Sequence, residues 1–225
     1  MKLTLSIRQF LAEFYGTFIL VFVGTGSIAF GLGQDLLGVA FAFGTGALIA
    51  IYTIGHISGA HLNPAVSLAM VLDQRMTWKQ FGLYLIAQTL GALLASLTLL
   101  IGSHADAFTG LGSSGFTAPT TWLVVLVFEM FLTFILVYTV LAASQRKSLQ
   151  PLMGLIVAFS LVGLILVGGP ISSASLNPIR SLSPALLEGG NALGQLWVFV
   201  VGPILGSILA ALFYRFLKFK DSDTI

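Results

Sequence analysis

Asn63 and Asn177 each stand directly before a proline inside apolar sequence. The octapeptides that hold them, Ile57-Ser58-Gly59-Ala60-His61-Leu62-Asn63-Pro64 and Ile171-Ser172-Ser173-Ala174-Ser175-Leu176-Asn177-Pro178, are near copies. Asn followed by Pro is a helix start: Asn caps the helix, and Pro takes its first position, where a missing N–H costs nothing. A carboxamide that caps through its oxygen can still offer N–H donors to a solute. Arg180, three residues after Asn177, adds a cation with further donors. Glu13 and Glu129 are carboxylates set in apolar runs, and His56 and His61 flank the first copy. This chemistry is hydrogen bonding to a neutral solute near positive charge. Catalysis lacks its parts: Cys is absent, no His stands near a Ser as a base beside a nucleophile, and neither His has the partner spacing of a metal site. No enzyme activity, metal or cofactor is expected.

Composition supplies the setting. Of 225 residues 57% are hydrophobic and 8% charged, so a soluble globule would have too little polar surface to cover itself. The net charge of +2 comes from dispersed basic residues, which argues against nucleic acid and for topology signals in a lipid bilayer. The first apolar run follows Lys2 and Arg8 as in a signal peptide, but it is too long for one and lacks a small-residue cleavage site. It reads as a first span.

Runs long enough to cross a core of about 30 Å are expected at 10–30, 36–56, 80–101, 121–143, 151–169 and 194–217. Two shorter apolar pieces, 63–72 and 177–187, each reach about 15 Å as helix, half a membrane. Lys2, Arg8, Arg75, Lys79, Arg146, Lys147, Arg215, Lys218 and Lys220 all fall on one side of this arrangement. By the positive-inside rule that side is cytoplasmic and holds both termini, while the loops near Asp35, His104, Asp106 and Glu188 lie outside. Arg180 is the exception, because it falls within the second short piece.

The repeat extends beyond the two octapeptides. Glu13-Phe14-Tyr15-Gly16-Thr17-Phe18 pairs with Glu129-Met130-Phe131-Leu132-Thr133-Phe134, each pair member well ahead of its own Asn-Pro. The chain is therefore expected to form a single domain over 1–225, with repeat one at about 8–101 and repeat two at about 120–218. Each repeat holds three spans, an odd number, so the two insert with opposite orientation and their short helices enter from opposite faces. The predicted fold is an all-α membrane protein with six transmembrane helices, two re-entrant half-helices and inverted three-helix repeats. Such repeats with broken helices mark a transport site near the midplane.

The paired loops, the repeated Glu-x-x-x-Thr-Phe and the run His56 to Val66 resemble the aquaporin or major intrinsic protein family, over nearly the whole chain from Glu13 to about Tyr214. That resemblance implies a plasma-membrane homotetramer of passive channels for water and small neutral solutes that excludes protons and ions. It places Asn63 and Asn177 at the pore midplane, and Phe43, Ile165, Ala174 and Arg180 in a selectivity filter. Backbone carbonyls of Gly59, Ala60, His61, Leu62, Ser173, Ala174, Ser175 and Leu176 would form a ladder along the pore, with Glu13 and Glu129 bracing the loops. Water-selective members carry His where this chain has Ile165, so its filter should be wider and more apolar and pass glycerol, hydrogen peroxide, ammonia or hydrogen sulfide as well. Ser181 and Ala185 match the water subgroup. Ile179 replaces the usual Ala of the second motif, and would either nudge the half-helix or simply pack against neighbours.

Other readings remain open at this stage. Phe43 and Ile165 could face lipid or core, and Arg180 could snorkel outward. His56 could tie the first loop to its span. Glu13 and Glu129 could serve as relays of a proton-coupled transporter. Gly202 and Gly206 have the spacing that lets helices approach closely.

Overall fold

The computed structural model describes residues 4–32 and 35–217. Among the basic residues used for orientation, Lys2, Lys218 and Lys220 lie outside the described residues. Eight α-helices follow one another: α1 Leu5–Ser27, α2 Leu36–Ser58, α3 Pro64–Leu72, α4 Trp78–Ile101, α5 Trp122–Ser144, α6 Met153–Ser172, α7 Pro178–Glu188 and α8 Gly190–Leu217. All but α3 and α7 are long and apolar enough to span a bilayer. The 9 residues of α3 and 11 of α7 reach only about halfway.

Helix starts follow local chemistry. The side chains of Thr4, Asp35 and Thr121 accept from backbone N–H groups in their first turns, and Thr77 forms a reciprocal capping box with Gln80. Asn63 and Asn177 cap α3 and α7, with Pro64 and Pro178 at the first helical position. The six spans agree with those expected, and each begins or ends within a few residues of its expected boundary except at the start of α1.

The two halves pack alike. α1 lies on α2 and α4, as α5 lies on α6 and α8. The tightest crossings are held by glycine: a Cβ at Gly91 would strike the carbonyl of Phe14, and one at Gly206 the carbonyl of Met130. A Cβ at Gly202 would lie 2.8 Å from that of Glu129, so the small-residue pair of α8 serves internal packing against α5. The halves then interlock, with α2 on α6, α3 on α8, and α7 on α4. Ser207 of α8 donates to the carbonyl of Ala65 in α3, and Ser96 of α4 to the hydroxyl of Ser183 in α7. Each half-helix is therefore fixed to the last span of the other half.

Two basic residues expected as topology signals are also structural. Arg75 reaches Asp73 at 2.6 Å, the Ser144 hydroxyl at 2.7 Å and the Leu141 carbonyl at 3.0 Å, while Arg215 donates to the carbonyl of Leu72 at 3.1 Å. Both secure the C-terminal end of α3, where a helix dipole favours cations. Ile179 is buried with Val21, Ala92 and Ala95, and so packs between α7, α1 and α4.

Gly206→Val should overpack the α5–α8 crossing at a cost of about 1–3 kcal/mol and lower the melting temperature of the purified protein. Gly82→Ala, whose added methyl meets open space, should leave it unchanged or slightly higher.

Candidate conduction site

Both apolar loops leave a spanning helix through a left-handed residue, Gly59 at φ 89° and Ser173 at φ 62°. Ala60, Leu62, Ala174 and Leu176 are also left-handed, at φ 48°, 56°, 42° and 54°. This conformation is strained in residues that carry a Cβ. Its effect is to turn successive N–H groups the same way, forming a concavity that suits an anion. A carboxylate fills each one.

Glu13 is fully buried and accepts from the N–H groups of His61 at 2.9 Å and Leu62 at 2.8 Å, and from the Ser58 hydroxyl at 2.6 Å. Glu129, also fully buried, accepts from Ser175 N–H, Leu176 N–H and the Ser172 hydroxyl, each at 2.8 Å. Ser58 and Ser172 belong to the repeated octapeptides, yet no role was assigned to them from sequence. A side-chain network around Gln88 completes the first loop: Gln88 Nε2 donates to Glu13 at 2.9 Å and to Ser67 Oγ at 3.2 Å, Ser67 Oγ lies 3.0 Å from His61 Nδ1, and Tyr84 donates to the Ser58 carbonyl at 2.7 Å. Polar residues scattered through α4 give no periodic signal, so these were not legible. His56 is exposed near the end of α2; Ser58, the last residue of that helix, is bonded to Glu13 of α1 and Tyr84 of α4.

At the meeting point of α3 and α7 the two Asn residues hold each other's loops. Asn63 Oδ1 accepts from Ala65 N–H at 2.9 Å, and its Nδ2 donates to the carbonyl of Leu176 at 2.8 Å. Asn177 Oδ1 accepts from Ile179 N–H at 3.1 Å, and its Nδ2 donates to the carbonyl of Leu62 at 2.9 Å. One N–H of each carboxamide is thus committed across the junction, leaving a second. The carbonyls of Leu62 and Leu176, expected in the ladder, already serve these cross-bonds.

A cavity of about 600 Å³ runs past both Asn residues. Phe43, Ile165, Ala174 and Arg180, the four residues expected to assemble, all line it, as do Tyr52, Arg75, Gln150 and Met153. Phe43 and Ile165 are buried at 5% and 4% exposure, so neither faces lipid. Gly24 makes room for the Phe43 ring, whose Cγ would stand 2.6 Å from a Cβ there. Of the ladder positions, Gly59, Ala60, His61, Leu62, Ala174, Ser175 and Leu176 line this cavity, whereas the Ser173 side chain turns to the Gly115 carbonyl at 2.7 Å. Ile179 is not among the lining residues, so its bulk acts only in packing.

Arg180 is 3% exposed and does not snorkel. Its guanidinium carbon stands 4.9 Å from the Phe43 ring centroid, and Nη1 donates to the Gly112 carbonyl at 3.0 Å and Ser114 Oγ at 2.8 Å. The loop between α4 and α5 that supplies these acceptors is held by side chains of the second half: Glu188 accepts from Leu111 N–H, and the Gln195 amide bonds both backbone groups of Phe116 at 2.9 Å. Backbone acceptors leave no mark in sequence, which hid this loop's part.

Residues 1–214 match the model of a family described as Major intrinsic protein. The chain belongs to that family. It is 41% identical to Aquaporin Z of Rhodopseudomonas palustris, covering 98% of each chain, and 36% identical to Glycerol uptake facilitator protein-like 6 of Lactiplantibacillus plantarum, covering 96% of this chain and all of the other. The X-ray structure of the aquaglyceroporin from Plasmodium falciparum shares its fold, with a TM-score of 0.85 at 24% identity over 94% of this chain and 96% of that one. This major intrinsic protein is a multi-pass membrane channel for water and small solutes, not an enzyme.

Glu129→Ala would strand two backbone donors and one hydroxyl in a buried site, each costing about 1–3 kcal/mol. Thermal unfolding in detergent should show a large loss of stability or of folded yield. Glu129→Gln, which keeps an acceptor oxygen, should lose less.

Proposed function

We propose that the cavity is a passive single-file pore for water and small neutral solutes, glycerol, hydrogen peroxide, ammonia and hydrogen sulfide among them, that excludes protons and ions. The observation that carries this reading is the reciprocal bonding of Asn63 and Asn177, which brings two half-helix N-termini together beside the cavity. Each N-terminus carries roughly half an elementary charge. Together they oppose any cation at mid-depth, and Arg180 adds a full charge at the filter. The N–H left on each carboxamide supplies the lumen with a donor, so a water there accepts from both and turns its hydrogens away. A continuous proton-conducting chain is interrupted at that water.

The direction of the loop backbone supports a carbonyl ladder. Because consecutive N–H groups of each loop converge on Glu13 or Glu129, the opposite edge of the same peptides is left to present acceptors to the pore. Both oxygens of each carboxylate accept from fixed donors, which supports bracing over proton relay. At the filter, Phe43, Ile165 and Ala174 supply apolar surface beside one donor group, Arg180. Such a surface suits a solute with one polar and one apolar face, and it offers a dehydrated ion too few ligands.

Family membership supports a homotetramer in the plasma membrane. The clustering of Arg75, Arg146 and Arg215 at one end supports placing both termini in the cytoplasm.

Reconstituted into liposomes, the protein should speed osmotic shrinkage above bare lipid with a shallow temperature dependence. No added water flux, or flux that follows an imposed proton gradient, would overturn the reading. Ile165→His should lower the ratio of glycerol to water permeability by about tenfold, measured in the same vesicles.

A further inference from the structure

We infer that Ser114 and Ser181 are positioning residues that set solute selectivity by fixing the guanidinium of Arg180. This rests on the filter reading above and extends it to groups that do not line the pore. Ser114 and Ser181 are buried at 2% and 1% exposure, and their hydroxyl oxygens are 2.8 Å apart. Ser114 Oγ accepts from Arg180 Nη1, a group with no capacity to accept, so the Ser114 hydrogen is free to point at Ser181. Ser181 Oγ contacts Ser175 Oγ, and Ser175 donates to the carbonyl of Asn177 at 3.0 Å. With the last hydrogen placed on that carbonyl, every earlier one is directed: Arg180 to Ser114, Ser114 to Ser181, Ser181 to Ser175, Ser175 to Asn177.

The chain has one polarity and no spare hydrogen. It links the filter cation to the capping residue of its own half-helix, and hydrogen bonds ordered in this way reinforce one another. Nη1 is fully used, since its second N–H goes to the Gly112 carbonyl. Two acceptors at fixed angles hold the planar guanidinium against rotation over the Phe43 ring, and because Nε is buried, Nη2 is left as the group for solute. Removing one hydroxyl frees the guanidinium to tilt and loosens the aperture it defines.

The test measures glycerol and water permeability in proteoliposomes, normalised to incorporated protein, for wild type, Ser114→Ala, Ser181→Ala, Arg180→Ala and the double variant Ser114→Ala with Arg180→Ala. Arg180→Ala is expected to raise the ratio of glycerol to water permeability. Ser114→Ala and Ser181→Ala should raise it by at least about threefold, and Ser114→Ala should add nothing in the Arg180→Ala background. If neither serine variant raises the ratio while Arg180→Ala does, the inference fails and the filter stands. If Ser114→Ala still raises it without Arg180, the effect does not pass through the guanidinium and the inference fails. If Arg180→Ala itself leaves the ratio unchanged, the filter reading falls and takes the inference with it.

Discussion

Backbone that leaves a helix at mid-membrane depth has no water to complete its hydrogen bonds, so the protein must supply every partner. Glu13 and Glu129 meet this requirement, and most of the architecture depends on their doing so. Each carboxylate gathers two consecutive N–H groups and a serine hydroxyl from its loop. Hydrogen bonds to a charged acceptor are among the stronger ones available, and here they offset the left-handed strain of Leu62 and Leu176. Without them each loop would collapse toward helix or draw water inward. The half-helices beyond would lose their fixed starting points.

Packing and polar support are parts of one arrangement. The residues whose carbonyls press on Gly91 and Gly206, Phe14 and Met130, follow Glu13 and Glu129 directly in sequence. The closest approach of α1 to α4, and of α5 to α8, therefore sits at the level of the carboxylates. The two sites are not identical. Gln88 adds a donor to Glu13 and joins it to Ser67 and His61, whereas Glu129 is held by its own loop. The second half instead directs its extra polar contacts to the loop that grips Arg180. One repeat stabilises its own re-entrant segment, and the other also supports the loop that holds Arg180.

Hydrophobic run length and Asn-Pro capping were enough to read the spans and half-helices, because both are local signals with one physical meaning. The inverted relation followed from an odd number of spans per repeat. What stayed hidden depends on tertiary closure. Ala60, Leu62, Ala174 and Leu176 carry no propensity for positive φ, and only the finished site imposes it. Gly112 contributes a carbonyl, which any residue possesses. Ser58 and Ser172 were visible as repeated letters, but a serine in a loop has too many possible uses for its type alone to reveal one. Ile179 shows the reverse case: its place in the second motif left both a pore effect and plain packing open, and its side chain lies in a core formed with Val21 and Ala92.

The crossed bonds between Asn63 and Leu176, and between Asn177 and Leu62, also constrain biogenesis. Synthesis delivers the N-terminal half first. Until residues 176 and 177 are inserted, the Asn63 amide N–H and the Leu62 carbonyl lack the mates they have in the finished fold, so the first re-entrant segment cannot reach its final state by itself. Closing the junction is a late assembly event that needs both halves in place. A chain halted between the repeats would lack both bonds, and the same pair that joins the two half-helix starts marks the point at which the halves have closed on each other.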